Sequence, residues 1–133
     1  MTDKKTQKKL FRMAMKAATR SYSPYSNFAV GAAALTSNGS IFLGTNVENA
    51  SYGLTLCAEQ TAVANAIANR GGKIAAVAVY CAKCEITPCG GCRQFIAEFG
   101  PKVEVIYMAN GELVSQFISE MLPSAFTKKD LEK

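Results

Sequence analysis

The sequence predicts an α/β protein, a three-layer α/β/α sandwich with a mixed central sheet. Three observations carry this reading. Apolar residues at helical spacing recur between short runs rich in Val, Ile and Ala. The elements follow the order α-β-β-α-β-α-β-α, which suits helices covering a sheet. One run, "KIAAVAVYCA" (residues 73–82), is nearly continuous in apolar residues, as a strand covered on both faces must be.

Each element has its own warrant. Leu10, Phe11, Ala14, Met15 and Ala18 form an apolar stripe at helical spacing, which predicts an amphipathic helix over about residues 4–20. "SYSPYSNF" interrupts it with Pro24. Residues ~28–36 and ~40–47 read as two strands joined through "SNGS", an Asn-Gly hairpin signal. A helix opening at Cys57 runs to "NRGG", a glycine stop with Arg70 in the last turn. After the buried strand comes a helix from about Gly90 to Phe99, then the strand "VEVIYM". An Asn110-Gly111 turn leads to a last helix expected over ~112–121. There is no internal repeat and no linker composition, so 133 residues read as one domain.

Composition narrows the function classes. No apolar run approaches the ~20 residues of a membrane-spanning helix. The lysine-rich N-terminus lacks the continuous hydrophobic region of a secretory signal. A cytoplasmic, reducing setting follows, and five cysteines, an odd number, then favour metal ligands or free thiols over a disulfide framework. The net charge of +5 invites a nucleic-acid reading, but residues 1–20 carry seven basic residues against Asp3, a balance of +6. The remaining eight basic and nine acidic residues sum to −1. The charge therefore belongs to one helix face, whereas a nucleic-acid groove draws basic residues from several elements.

The chemistry concentrates at two helix openings. "LCAEQTAVANAI" carries Cys57 and Glu59 in its first turn, and "TPCGGCRQFIAEF" carries Cys89 and Cys92 in its own. Cys89 and Cys92, three apart, share a face of that turn and can grip one ion. Pro88 is expected to start the helix, its ring φ already suitable. Helix N-termini favour thiolates and lower their pKa. Residues two apart do not face each other within a helix, so Cys57 and Glu59 can serve one ligand only if it lies beyond the helix end. Three protein ligands leave zinc an open position, which is the catalytic arrangement. The plainer reading makes the cysteines small core residues and Glu59 a partner of the helix dipole. A second alternative uses Cys81 and Cys84 as well, because "CAKCEITPCGGC" could hold a Cys₄ structural ion. Against it, Cys81 ends an apolar strand and is expected to point into the core, and four residues make a tight loop between two knuckles.

"SPYSNFAVGAA", "NVENASYG", "CAEQTA", "PCGGCRQFIAEF" and "LPSAF" together resemble the cytidine deaminase family, in its short homotetrameric branch. The likeness extends from the first helix to Phe126. It implies that Cys57, Cys89 and Cys92 hold one Zn²⁺ per subunit, and that Glu59 is the proton shuttle; three cysteines and a non-ligand glutamate are a known variant of the zinc deaminase signature. The missing histidine fits, since other deaminase branches use His-x-Glu and this chain has none. The resemblance further implies ribose contacts from Asn46 and Glu48 and an aromatic wall from Phe28. It implies a base contact from the Ala58 backbone N–H, and Tyr52 and Phe126 reaching into a neighbouring subunit's site. Outside those motifs Phe28 would read as core and Asn46 as a strand end. The expected reaction is hydrolytic deamination of cytidine and deoxycytidine in pyrimidine salvage, by a homotetramer that binds neither nucleic acid nor membrane. An aminonucleoside deaminase of the blasticidin type shares the metal core, but the Asn46–Glu48 pair favours an ordinary ribose. A polynucleotide-editing enzyme would want a basic groove, and a non-enzymatic Cys₄ zinc module stands as the rival from another class. One position departs from the pattern: Gln60 stands where the family commonly has an arginine that offsets thiolate charge. Gln60 is expected to donate a hydrogen bond there without bringing charge.

Overall fold

The computed structural model describes residues 1–132. Helix α1 (Lys4–Ala18) is capped by the Asp3 carboxylate, which accepts from the Thr6 backbone N–H at 2.8 Å. Strands β1 (Val30–Thr36) and β2 (Ile41–Thr45) form the expected hairpin. Helix α2 (Ala58–Ala68) leads to β3 (Ile74–Cys81), and α3 (Gly90–Ala97) leads to β4 (Glu104–Ala109). The sheet order is β2-β1-β3-β4, with a fifth strand at the far edge beside β4, and only the β3–β4 pair is parallel. The mixed sheet of the sequence reading is present.

Two apolar clusters define the layers. On one face Leu10 and Ala14 of α1 pack on Ala33, Ala76, Ala78 and Ile106. On the other, Ala58, Ala62 and Val63 of α2 and Ile96 of α3 pack on Val77, Val79 and Val105. Strand β3 is thus apolar on both sides because it is covered on both sides.

One element departs from expectation. Residues 112–121 are a strand, β5 (Glu112–Phe117), followed by a single helical turn, α4 (Ile118–Met121). Asn110 and Gly111 both take positive φ, 52° and 77°, which makes them a hairpin turn pairing β5 antiparallel to β4. Leu113, Val114, Phe117, Ile118 and Met121 mimic helical spacing, but the turn chemistry decides. A further short helix, α5 (Lys128–Leu131), closes the described chain.

The topology positions the site. Strands β2 and β3 are each antiparallel to β1, hence parallel to each other, and each feeds a helix from its carboxyl end. The N-termini of α2 and α3 therefore open at the same edge of the sheet, where ligands bind in open α/β folds. Gly44 allows α2 to lie close: a Cβ there would fall 2.2 Å from the Ala62 nitrogen and 2.6 Å from the Ala58 oxygen. None of the described helices is long and apolar enough to cross a membrane.

Candidate active site

Both chemical helices open on a cysteine. Cys57 is the N-cap of α2 and Cys89 the N-cap of α3, with Cys92 at the third helical position. Pro88 consequently lies one residue before the cap rather than at the first helical position, buried, with its carbonyl accepting from Arg93 Nε at 2.8 Å. The Sγ atoms of Cys57, Cys89 and Cys92 lie within 4.8 Å of one another, and among the described residues no fourth Cys, Asp or Glu joins them. Cys81 and Cys84 stand outside the group, so the Cys₄ arrangement is not formed. Cys81 is buried in the core, as the strand reading expects.

The donor set fits zinc. Tetrahedral thiolates at about 2.3 Å from the ion stand roughly 4 Å apart, so only a small contraction of the three sulfurs is needed. Burial pushes the Cys57 and Cys92 thiols above their ordinary value. Backbone amides of Cys92 and Gly91 hold Cys89 below it. A bound dication reverses the burial penalty and keeps all three as thiolates.

Glu59 is 4% exposed, and burial raises its carboxyl above the usual range. A carboxyl so placed holds a proton more readily than a solvated one, which suits proton transfer. Ala58, the first residue of α2, is fully buried, and its N–H belongs to the helix end that has no intrahelical partner. The Gln60 amide oxygen accepts from the Cys57 backbone N–H at 3.2 Å, reaching back as in a capping box, a contact the sequence reading did not include.

The flank is built from "NVENASYG" and "SYSPYSNF". Val47 bridges Leu56 by two 2.9 Å backbone hydrogen bonds, which ties residues 46–48 to the start of α2. Asn46 is buried; its Oδ1 accepts from the Val30 N–H and the Ser21 hydroxyl, and its Nδ2 donates to Phe28 O at 2.7 Å. That use leaves one amide N–H for a ligand. Glu48 accepts from the Tyr25 and Ser26 N–H groups and from the Ser26 hydroxyl, which holds its carboxyl below the usual value. Phe28 packs, partly exposed, against the site-side core. Tyr52 is 76% exposed, stacks edge-on against Tyr25, and with Glu48 lines an open depression of about 400 Å³. Phe126 is also exposed.

Two residues escaped the sequence reading. Arg93 holds the approach to α3 through Pro88 O and Thr87 Oγ1 and ties it to the end of α4 through Met121 O at 3.0 Å. Gln94 Nε2 donates to Phe126 O at 2.8 Å, fixing the tail that carries Phe126. Their signal was the "RQ" directly after Cys92.

Three thiols and a buried carboxyl at two adjoining helix ends define a metal-dependent hydrolytic centre on a deaminase-like α/β fold. The comparisons agree. Residues 4–109 match the family model for the cytidine and deoxycytidylate deaminase zinc-binding region. A cytidine deaminase of Halalkalibacterium halodurans is 44% identical over 125 residues, covering 92% of this chain and 95% of the relative. One of Sporosarcina psychrophila is 40% identical, covering 92% and 93%. The crystal structure of cytidine deaminase from Burkholderia pseudomallei superposes with a TM-score of 0.82 at 43% identity, over 95% of this chain and 100% of that one. The Mycobacterium tuberculosis enzyme gives 0.81 at 40% identity, over 90% and 95%. The chain belongs to the cytidine deaminase family and is an enzyme.

Proposed function

We propose that this enzyme hydrolyses the exocyclic C4–N bond of cytidine and deoxycytidine, releasing ammonia and leaving uridine or deoxyuridine, as a step of pyrimidine salvage. The observation that carries the proposal is the buried Glu59 two residues from Cys57, at a three-thiol cluster shared by two helix N-termini. Cys57, Cys89 and Cys92 would hold one Zn²⁺ per subunit. When bound, that ion supplies a Lewis acid that lowers the pKa of water from 15.7 towards ~7.

The chain's own groups do the rest. Glu59 takes a proton from the attacking water and delivers it to ring N3. It then takes the proton of the new C4 hydroxyl and passes it to the amine, which leaves as ammonia while C4–O becomes the product carbonyl. Burial supports both roles, because a raised carboxyl pKa narrows the gap between accepting and donating. The Ala58 N–H, without an intrahelical partner, would donate to the base carbonyl. Asn46, with one amide N–H left, and the ionised Glu48 are offered to ribose hydroxyls, and Phe28 to the ring face. Water exclusion needs more surface than one chain presents, since Glu48 and Tyr52 line an open depression.

The same reading takes the chain as a single deaminase domain, working in the cytoplasm as a homotetramer with shared sites. Tyr22, Tyr25, Val47, Tyr52, Leu54 and Leu56 are all exposed apolar or aromatic residues beside the site, a patch of the kind that marks an interface. Tyr52 and Phe126 would each complete a site in another subunit. Sedimentation that found a fully active monomer at assay concentration would defeat the shared-site proposal. The reaction itself is tested by the ultraviolet absorbance of cytidine mixed with zinc-loaded enzyme. A decline to the uridine spectrum is expected, and an unchanged spectrum at generous enzyme concentration overturns it.

A further inference from the structure

The proposed reaction leaves Cys81 and Cys84 without a role. Their Sγ atoms are 4.0 Å apart, Cys81 buried at the end of β3 and Cys84 exposed in the loop that follows. Both sides of the pair are fixed. The Ala82 N–H donates to Ala29 O at 3.1 Å. The Glu85 carboxylate accepts from the Asn110 and Gly111 N–H groups, both at 2.8 Å, which ties the loop to the β4–β5 turn. Beside the pair an open cavity of about 540 Å³, lined also by Phe11, Met15, Tyr80 and Met108, gives a reagent room to approach.

We propose that Cys81 and Cys84 form a dithiol–disulfide site, separate from the three ligand cysteines, that exchanges with low-molecular-weight disulfides. A disulfide needs its sulfurs about 2.05 Å apart. The remaining approach from 4.0 Å falls to the exposed Cys84 side, since Cys81 is buried in the core. The order of events follows exposure. Cys84 Sγ attacks one sulfur of the external disulfide, whose S–S bond breaks, and the first thiol leaves with the Cys84 proton. Cys81 Sγ then attacks Cys84 Sγ and expels the second thiol, which takes the Cys81 proton. The protein pair is oxidised by two electrons, and the reagent is reduced to two thiols. The ligand cysteines stay out of the exchange because their sulfurs converge on one metal position elsewhere. Partial desolvation and the neighbouring Cys81 thiol hold Cys84 above the ordinary cysteine value, so the first step runs slower than at an activated thiolate.

Trypsin makes the test specific, since it cuts after Lys73, Lys83 and Arg93. Cys81 then lies on peptide 74–83, whereas Cys84, Cys89 and Cys92 all lie on peptide 84–93. Zinc-loaded enzyme incubated with glutathione disulfide, quenched with acid and digested without reductant should yield peptides 74–83 and 84–93 joined by one disulfide, with zinc content unchanged. Cys81→Ser should instead accumulate a stable glutathione adduct on Cys84, and Cys84→Ser should leave Cys81 unreacted. A persistent adduct on Cys84 in the parent enzyme overturns the proposal. So does a disulfide confined to peptide 84–93, or both thiols still free after prolonged incubation.

Discussion

Cys81–Cys84 and Cys89–Cys92 share one spacing on one continuous stretch of chain, yet the fold treats them differently. Cys89 and Cys92 occupy the cap and third position of α3, so backbone amides surround one sulfur and Cys57 arrives from α2 as a third donor. Cys81 closes a strand whose pleat turns it into the core, Cys84 follows in a loop, and no third donor reaches them among the described residues. Spacing therefore nominates a pair, and the element beneath it decides what the pair can do. A helix N-terminus aims two thiols and its own dipole at one point; a strand end aims one thiol inward and leaves the other outside.

Serine substitutions break the comparison most directly. Cys92→Ser should lose stoichiometric zinc and at least ~10³-fold in turnover, because the Lewis-acid contribution is worth several kcal/mol. Cys84→Ser should keep both within about twofold, since an exposed position away from the site tolerates substitution. Metal analysis beside the absorbance assay reads both; equal losses in the two variants would erase the distinction.

The third donor depends on how closely α2 lies on β2. Gly44→Ala places a methyl 2.2 Å from the Ala62 nitrogen and should cost about 1–3 kcal/mol while moving Cys57 and Glu59 out of line. Gly31→Ala is as tight, 2.0 Å from the Ala14 oxygen, but it meets α1 on the opposite face. Both should lower the melting temperature. Turnover per folded, zinc-loaded molecule should fall for Gly44→Ala alone, and a matching fall in Gly31→Ala would contradict this division between faces.

A smaller effect separates the two exposed thiols. In metal-free protein the Cys92 and Gly91 amides lower Cys89 below the ordinary 9.0, while desolvation and Cys81 raise Cys84 above it. As pH falls from 9 towards 7, Cys89 keeps more of its thiolate, so iodoacetamide should label Cys89 faster and the ratio should widen. Fragment-ion mapping of peptide 84–93 measures it. The smallest change expected is at Gln60. Gln60→Ala removes the acceptor for the Cys57 N–H and should cost about 1 kcal/mol in stability with zinc retained.

Much of this architecture was legible in the residues. The stripe of α1, the first hairpin and the doubly covered β3 each follow from a local pattern that burial reinforces. The gathering of three thiols was legible for a further reason: caps and first turns are local, so Cys57, Cys89 and Cys92 announce their geometry within a few residues. Strand β5 was not legible, because its apolar spacing suits a helix and only the Asn110-Gly111 backbone reverses the chain. The clamps from Arg93 to Met121 and from Gln94 to Phe126 join residues about thirty apart, a distance that no periodicity reports. The use of the Gln60 amide oxygen to accept from the N–H of its own cap residue was not read from the sequence, which considered only the amide as a donor.

The central claim is that Glu59 moves protons and does not hold the metal. Glu59→Gln, isosteric and unable to titrate, tests it through zinc content and cytidine turnover measured on the same preparation. The account predicts a full zinc complement and a turnover loss at or beyond the ~10²–10⁴-fold typical of general acid–base catalysis. Turnover within tenfold of the parent, or a variant that no longer binds zinc, would contradict it.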